Sequence, residues 1–182
     1  MYKVLLSAAV AACALVCASQ ASADEAAAAT PGNITVEVGL TRANVADIDT
    51  SYAVLTARVG TKFNAYFGAE FEAGIGLNED TVDFGGFDID TKLEYAIGAF
   101  LTGEMPIDDQ LALTGRVGYA KTQIKASAGG YSESASGDGA AFGVGVKYTS
   151  TSGNYVVRGD VSRYQIDDGD VDAVSVTIGR KF

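Results

Sequence analysis

Charged side chains recur at alternate positions along much of this 182-residue chain: the carboxylates Glu37, Glu70, Glu72, Glu94 and Asp160, and the cations Arg58, Lys62, Lys92, Arg116, Lys147 and Arg158. Three chemistries use such a set. Paired carboxylates can divide acid and base roles, rings of charge can select ions, and opposite charges in near balance can neutralise one another where water is excluded. The sequence has no histidine, which removes imidazole bases, Ser-His-Asp triads and histidine metal sites. The serines between Ser127 and Ser136 have no positioned base to activate them, so they read as a mobile Gly/Ser loop. Asp167, Asp168, Asp170 and Asp172 are weak surface candidates for a divalent cation, but their spacing does not match a calcium-binding loop. Gly74-Ile75-Gly76 lacks the third glycine and the helix of a dinucleotide fingerprint. No metal centre and no cofactor is expected. A formal charge of −10 argues against nucleic acid, whose affinity comes largely from Lys and Arg on phosphates.

The elements that carry these charges alternate with period two rather than 3.6. Eight such segments run from Asn33–Arg42 to the strand ending at Phe182. On each, apolar residues such as Val36, Val38 and Leu40 occupy one face, and polar or small ones such as Glu37 and Gly39 the other. The segment Asp90–Gly103 is read with Leu93, Tyr95, Ile97, Ala99 and Leu101 on the apolar face, opposite Lys92, Glu94, Ala96 and Gly98. The links also sort. Short turns fall at Asn64-Ala65, Glu104–Asp109 and Thr149–Gly153, and longer polar links at Ala43–Thr50, Asn78–Ile89, Ala126–Gly139 and Asp167–Val171. Short turns at one end and long loops at the other are the pattern of an eight-stranded, antiparallel, up-and-down transmembrane β-barrel with its termini in the periplasm. A soluble lipocalin-like carrier shares the alternation but turns its apolar face inward. The glycine-rich polar face, with five acids against six bases, suits a narrow closed lumen and so favours apolar-out.

Residues 1–23 read as a secretory signal peptide. Lys3 precedes an apolar run from Val4 to Val16, and Ala21-Ser22-Ala23 is a small-x-small cleavage site. The alternative is lipidation at Cys13, within Val10-Ala11-Ala12-Cys13. Both cysteines, Cys13 and Cys17, leave with the leader, so disulfides are not expected in the mature protein. Residues 24–32 read as a flexible lead-in, and 33–182 as the barrel domain. Thirteen of the 23 acids fall in or beside the four longer links, which contain no Lys or Arg.

The last strand, Val174-Ser175-Val176-Thr177-Ile178-Gly179-Arg180-Lys181-Phe182, resembles the C-terminal signal of bacterial outer-membrane barrels, with Val174, Val176, Ile178 and Phe182 in the apolar positions. Ala57–Glu70 looks like a hairpin of the outer membrane β-barrel domain family, the small porin-like group that includes OmpX-like and opacity-type proteins. Arg180 stands where many members carry an aromatic residue. The resemblance implies a place in the outer membrane, contact with its lipid and lipopolysaccharide, and recognition by the barrel assembly machinery. It also implies a non-enzymatic role, structural or in surface contact through the extracellular loops, with an unidentified partner. A narrow pore is the second reading. A lipid-modifying enzyme is disfavoured because the barrel types that do such chemistry use a histidine. Tyr95, Tyr119, Tyr148, Tyr155, Phe63 and Phe182 are expected in interfacial aromatic girdles.

Overall fold

The computed structural model describes residues 34–45, 50–83, 88–128, 131–166 and 169–182. The expected leader with Ala21 and Ala23, Cys13, the lead-in and the two acids Asp167 and Asp168 lie outside the described residues. Nine strands follow in order: β1 (Ile34–Val45), β2 (Thr50–Lys62), β3 (Phe67–Gly76), β4 (Glu79–Asp83), β5 (Asp88–Pro106), β6 (Leu111–Ala128), β7 (Tyr131–Thr149), β8 (Tyr155–Ile166) and β9 (Gly169–Lys181). All pairings are antiparallel, in the order β3-β2-β1-β9-β8-β7-β6-β5-β4, and β3 also pairs with β5. β3 and β4 therefore share one place in the wall, and nine segments close an eight-stranded barrel. Closure through β1–β9 and β3–β5 removes the free edges that a sheet cannot expose to lipid.

Side-chain alternation sets which face meets which solvent. Leu40, Leu101, Val117, Val144, Val176 and Ile178 project outward and are exposed, whereas Glu37, Arg58, Glu72, Arg116 and Asp160 are buried inside. Apolar-out with charge-in is the inverse of a soluble protein and is what a bilayer demands. Phe63, Tyr66, Phe67, Tyr148, Tyr155 and Phe182 are exposed around the end that holds the short turns. Tyr119 stands outward toward the other end, where Arg42 and the Arg163–Asp172 pair end the apolar band.

Two short turns use the same device. Asn64 Oδ1 accepts the backbone N–H groups of Tyr66 and Phe67, both at 2.8 Å. Asp108 Oδ1 likewise accepts those of Gln110 and Leu111, both at 2.7 Å, which holds the Asp108 carboxyl below its usual range. The third turn places Gly153 at φ 74°, in the left-handed region.

The strands overrun every one of the longer expected links: β1 runs to Val45 and β2 starts at Thr50, β4 and the start of β5 lie within Asn78–Ile89, and β9 starts at Gly169. Tyr131–Ser136, read as loop, is the outer arm of the β6–β7 hairpin, whose ladder reaches Ala128↔Tyr131. Glu104, read as the start of a turn, belongs to β5, which runs on to Pro106. A bulge interrupts the β5–β6 register between Leu93 and Tyr95. One extra residue reverses every face beyond it. Ile97, Ala99 and Leu101 point outward as the alternation predicts, but Leu93 is buried, opposite the inward Ile124.

Candidate functional site

Eight strands leave an interior that side chains can fill, and the middle of this one is filled by three arginines from three strands. Arg58 on β2 donates from Nε to Glu72 (2.6 Å), from Nη1 and Nη2 to the two oxygens of Asp160 (2.7 and 3.2 Å), and from Nη2 to Ser175 (2.9 Å). Its side chain is 2% exposed. Arg116 on β6 donates from Nη1 to Glu72 (2.6 Å) and Glu70 (3.2 Å), from Nε and Nη2 to Ser162, and from Nη2 to the Tyr164 hydroxyl. Its guanidinium lies 4.4 Å from the centre of the Phe100 ring, a cation–π contact. Arg158 on β8 pairs with Glu70 at 2.7 Å and lies 3.4 and 3.3 Å from Glu37 and Asp160.

Neutral side chains complete the carboxylate shells. Tyr164 donates to Glu72 at 2.8 Å, Ser175 to Asp160 at 2.7 Å, and Thr177 to Glu37 at 2.6 Å. Below this layer, toward the short turns, Glu104 bridges Lys62 (2.9 Å) and Lys147. Counting Glu37, Glu70, Glu72, Glu104 and Asp160 against Arg58, Lys62, Arg116, Lys147 and Arg158, the core of the network has five charges of each sign. Buried charges persist only when so paired. Glycine makes room for the crowding. A Cβ on Gly145 would lie 2.5 Å from the Gly159 carbonyl oxygen and 2.6 Å from the Asp160 Cβ.

Nine of the eleven charged residues read as lumenal thus meet inside the barrel, and two do not. Lys92 lies beyond the bulge, where the faces are reversed, opposite Lys125 and Glu79. Glu94 sits in the bulge itself and accepts from Gln123 Nε2 at 2.7 Å. Sequence reasoning placed Ser162 on the polar face beside Arg158 and Asp160 without counting it in the network, and missed Glu104, Tyr164, Ser175 and Thr177. Inward parity on β8 and β9 would have found the last three, but their neutral types gave no charge signal.

The remaining candidates sit on the outside. Val174, Val176, Ile178 and Phe182 line the outer face of β9, and the Arg180 guanidinium lies 5.3 Å from the Phe182 ring centre. Asp172 receives a two-pronged pair from Arg163 (2.7 Å from both Nε and Nη2), and Asp170 lies 3.9 Å from the same guanidinium. The cation facing these two carboxylates is therefore an arginine of the neighbouring strand. No cluster of three or more metal-ligating side chains occurs among the described residues.

The network can fill and brace the lumen, each arginine being held by carboxylates. Comparison with known proteins agrees with the architecture. A family model described as "Outer membrane protein beta-barrel domain" matches residues 9–182. Among solved structures, the chain is similar to Ail, the attachment invasion locus protein of Yersinia pestis, at 20% identity and a TM-score of 0.60, over 84% of this chain and 100% of that one. It is also similar to the N-terminal β-barrel domain of Pseudomonas aeruginosa OprF, at 13% identity and a TM-score of 0.61, over 84% and 98%. Neisserial surface protein A matches at 12% identity and a TM-score of 0.59, over 82% and 96%. These likenesses concern the fold. No curated protein matches the sequence.

Proposed function

Because this chain belongs to the outer membrane protein β-barrel domain family, and so sits in the outer membrane, we propose that it works there as a sealed barrel that braces the envelope and presents a surface arm. The observation that carries the sealed reading is the Arg58–Arg116–Arg158 layer, which draws on strands from all round the wall and leaves Arg58 almost without solvent contact. A conduit for ions would need those side chains to be mobile or spaced around water. Here each guanidinium is held by carboxylates on other strands.

The arm is supported by strand length. β5, β6 and β7 have 19, 18 and 19 residues, against 12 or 13 in β1, β2, β8 and β9. Beyond Lys121↔Asp138, where charge returns to the outer face, β6 continues for seven residues, about 23 Å of strand. Ser132 to Ser136 are exposed on both faces of this extension. Small polar residues on both sides of a projecting hairpin suit contact with an external partner. Ail, named for attachment and invasion, shares the fold, and its complex with a heparin analogue shows that such a barrel can hold a ligand. The segments at this end are acidic here, so a polyanion of that kind is the less suitable partner.

Lipopolysaccharide is the natural neighbour of the outer rim, where Arg42 and Lys121 are exposed just past the apolar band. Val174, Val176, Ile178 and Phe182 serve as the assembly signal, and residues 1–23 as the cleaved leader. Planar-bilayer recording tests the sealed reading: purified protein is expected to give no reproducible conductance steps. Steps that recur across preparations and shift with Lys62→Glu would replace this reading with a narrow pore.

A further inference from the structure

The upper lumen departs from the rule that the inside of a membrane barrel is polar. Above Glu72 and Tyr164, on the side away from the short turns, lies a cavity of about 130 Å³. Its wall includes Ala43, Tyr52, Val54, Leu93, Ile124 and Ala173, all on the inner face and drawn from five strands. Tyr52, Val54, Leu93 and Ala173 are buried, and Gly74 and Ala96 keep the centre open by contributing almost no side chain. Leu93 reaches this wall only because of the bulge at Glu94.

The polar groups in the wall are already engaged. The Thr41 and Thr56 hydroxyls bond each other at 2.8 Å, and Tyr52 donates to Thr91 at 3.0 Å. Tyr164 both accepts from Arg116 and donates to Glu72, while Thr122 reaches the Gly137 carbonyl at 3.4 Å. Water entering such a space would meet few partners, and an enclosed, wholly apolar cavity of about 150 Å³ takes up benzene, which sets the scale of ligand that such a volume can hold. Access is one-sided. The β-ladder closes the wall toward lipid, the arginine layer closes the floor, and Ala135, Gly137, Gly169 and Val171 border the chamber at its extracellular end.

We propose that this chamber is a binding site for a small, neutral, apolar molecule, of the size of one aromatic ring or a short alkyl chain, entering from the extracellular side. The site is separate from the ion network, which forms its floor, and it requires no conduction through the barrel. A charged ligand is disfavoured because the carboxylate at the floor, Glu72, is already held by Arg58, Arg116 and Tyr164 and is not free to act as its counterion.

Toluene is the probe, titrated into the folded, methyl-labelled protein in lipid nanodiscs. The lumenal methyls of Val54, Leu93 and Ile124 are expected to shift along a saturable, 1:1 isotherm. The outer methyls of Leu40, Val176 and Ile178 should shift only linearly, as toluene partitions into lipid. Ala96→Leu and Ala43→Leu fill the chamber from two strands and should weaken the saturable response at least tenfold, with folding checked by heat-dependent gel mobility. If the wild-type lumenal methyls move only linearly with those on the outside, the proposal fails without reference to any variant. An unchanged isotherm in both folded variants would place the toluene elsewhere and overturn it equally.

Discussion

Replacing Arg58 by alanine tests whether the arginine layer holds the barrel together. The side chain is 2% exposed and makes four hydrogen bonds, one to Glu72, two to Asp160 and one to Ser175. Its loss falls unevenly on its partners. Glu72 keeps Arg116 at 2.6 Å and Tyr164 at 2.8 Å, whereas Asp160 is left with the Ser175 hydroxyl and two longer contacts, Arg158 at 3.3 Å and Arg116 at 3.9 Å. The charge balance also moves from five against five to an excess of one carboxylate. Breaking a buried pair from one side costs about 3–5 kcal/mol, mostly because the abandoned charge has nowhere to go. Arg58→Met combined with Asp160→Asn removes that charge as well and should return to within about 2 kcal/mol of wild type, since a buried pair exchanged as a unit is often near neutral. The chain has no tryptophan, so reversible urea unfolding in lipid vesicles is followed by far-ultraviolet circular dichroism and by gel mobility. A single variant within about 1 kcal/mol of wild type would refute the reasoning, given that range for a buried pair. A double variant that loses the sum of both single changes would do the same.

The remaining predictions concern the pore, a turn and the arm. Arg116→Ala removes the guanidinium that joins Glu70, Glu72, Ser162 and Tyr164 and should open a path between the chamber and the lower lumen. With five acids then facing four bases, the conductance should favour cations, and an anion-selective or silent bilayer record would count against this. In the Ile107–Gln110 turn the Asp108 carboxyl is depressed by two backbone N–H donors, so its contribution is present above the unfolded carboxylate pKa and fades as pH falls through the lower folded value. The protection factors of the Gln110 and Leu111 amides, with each rate referred to the intrinsic rate at the same pH, should fall on acidification in the wild type but hold steady in Asp108→Asn, which keeps the acceptor. Replacing Lys125–Ser134 with Asn-Gly rejoins Ile124 to its partner Ala135 through a two-residue turn. The product should fold with wild-type gel mobility and lose adhesion of expressing cells to a coated surface; retained adhesion would remove the arm from the account.

How far the sequence could be read followed from what alternation encodes. The faces of β1, β2, β8 and β9 were legible because one parity runs unbroken from end to end, so Glu37, Arg58, Arg158 and Asp160 could be placed inside. Leu93, Lys92 and Glu94 were misplaced because a bulge adds a residue without a composition signal of its own. Glu104 was lost to the turn because Pro106 two residues on suggests a break, although a proline at the last position of a strand interrupts no further ladder. Ser132–Ser136 read as loop because small polar residues lack β propensity, yet a hairpin inherits its conformation from the ladder beneath it. The chamber was invisible for a related reason: its wall mixes alanines, glycines and the displaced Leu93, and only the closed barrel brings them together.

The arginine layer also answers a problem of alignment. Lipid-facing alternation distinguishes a strand from its one-residue slip, since that slip would turn charge into the bilayer, but it is blind to a slip of two, which restores every face. A two-residue displacement of β8 against β9 would carry Asp160 about 7 Å along the wall, away from Ser175, with which it is paired across the ladder. Thr177 and Glu37, 140 residues apart in sequence, set the same demand on the seam where the last strand meets the first. The ion network thus acts as a register check on barrel closure, scoring the shear that hydrophobicity alone leaves degenerate. It can do so only after the final strand arrives, because its counterions are spread around the whole circumference.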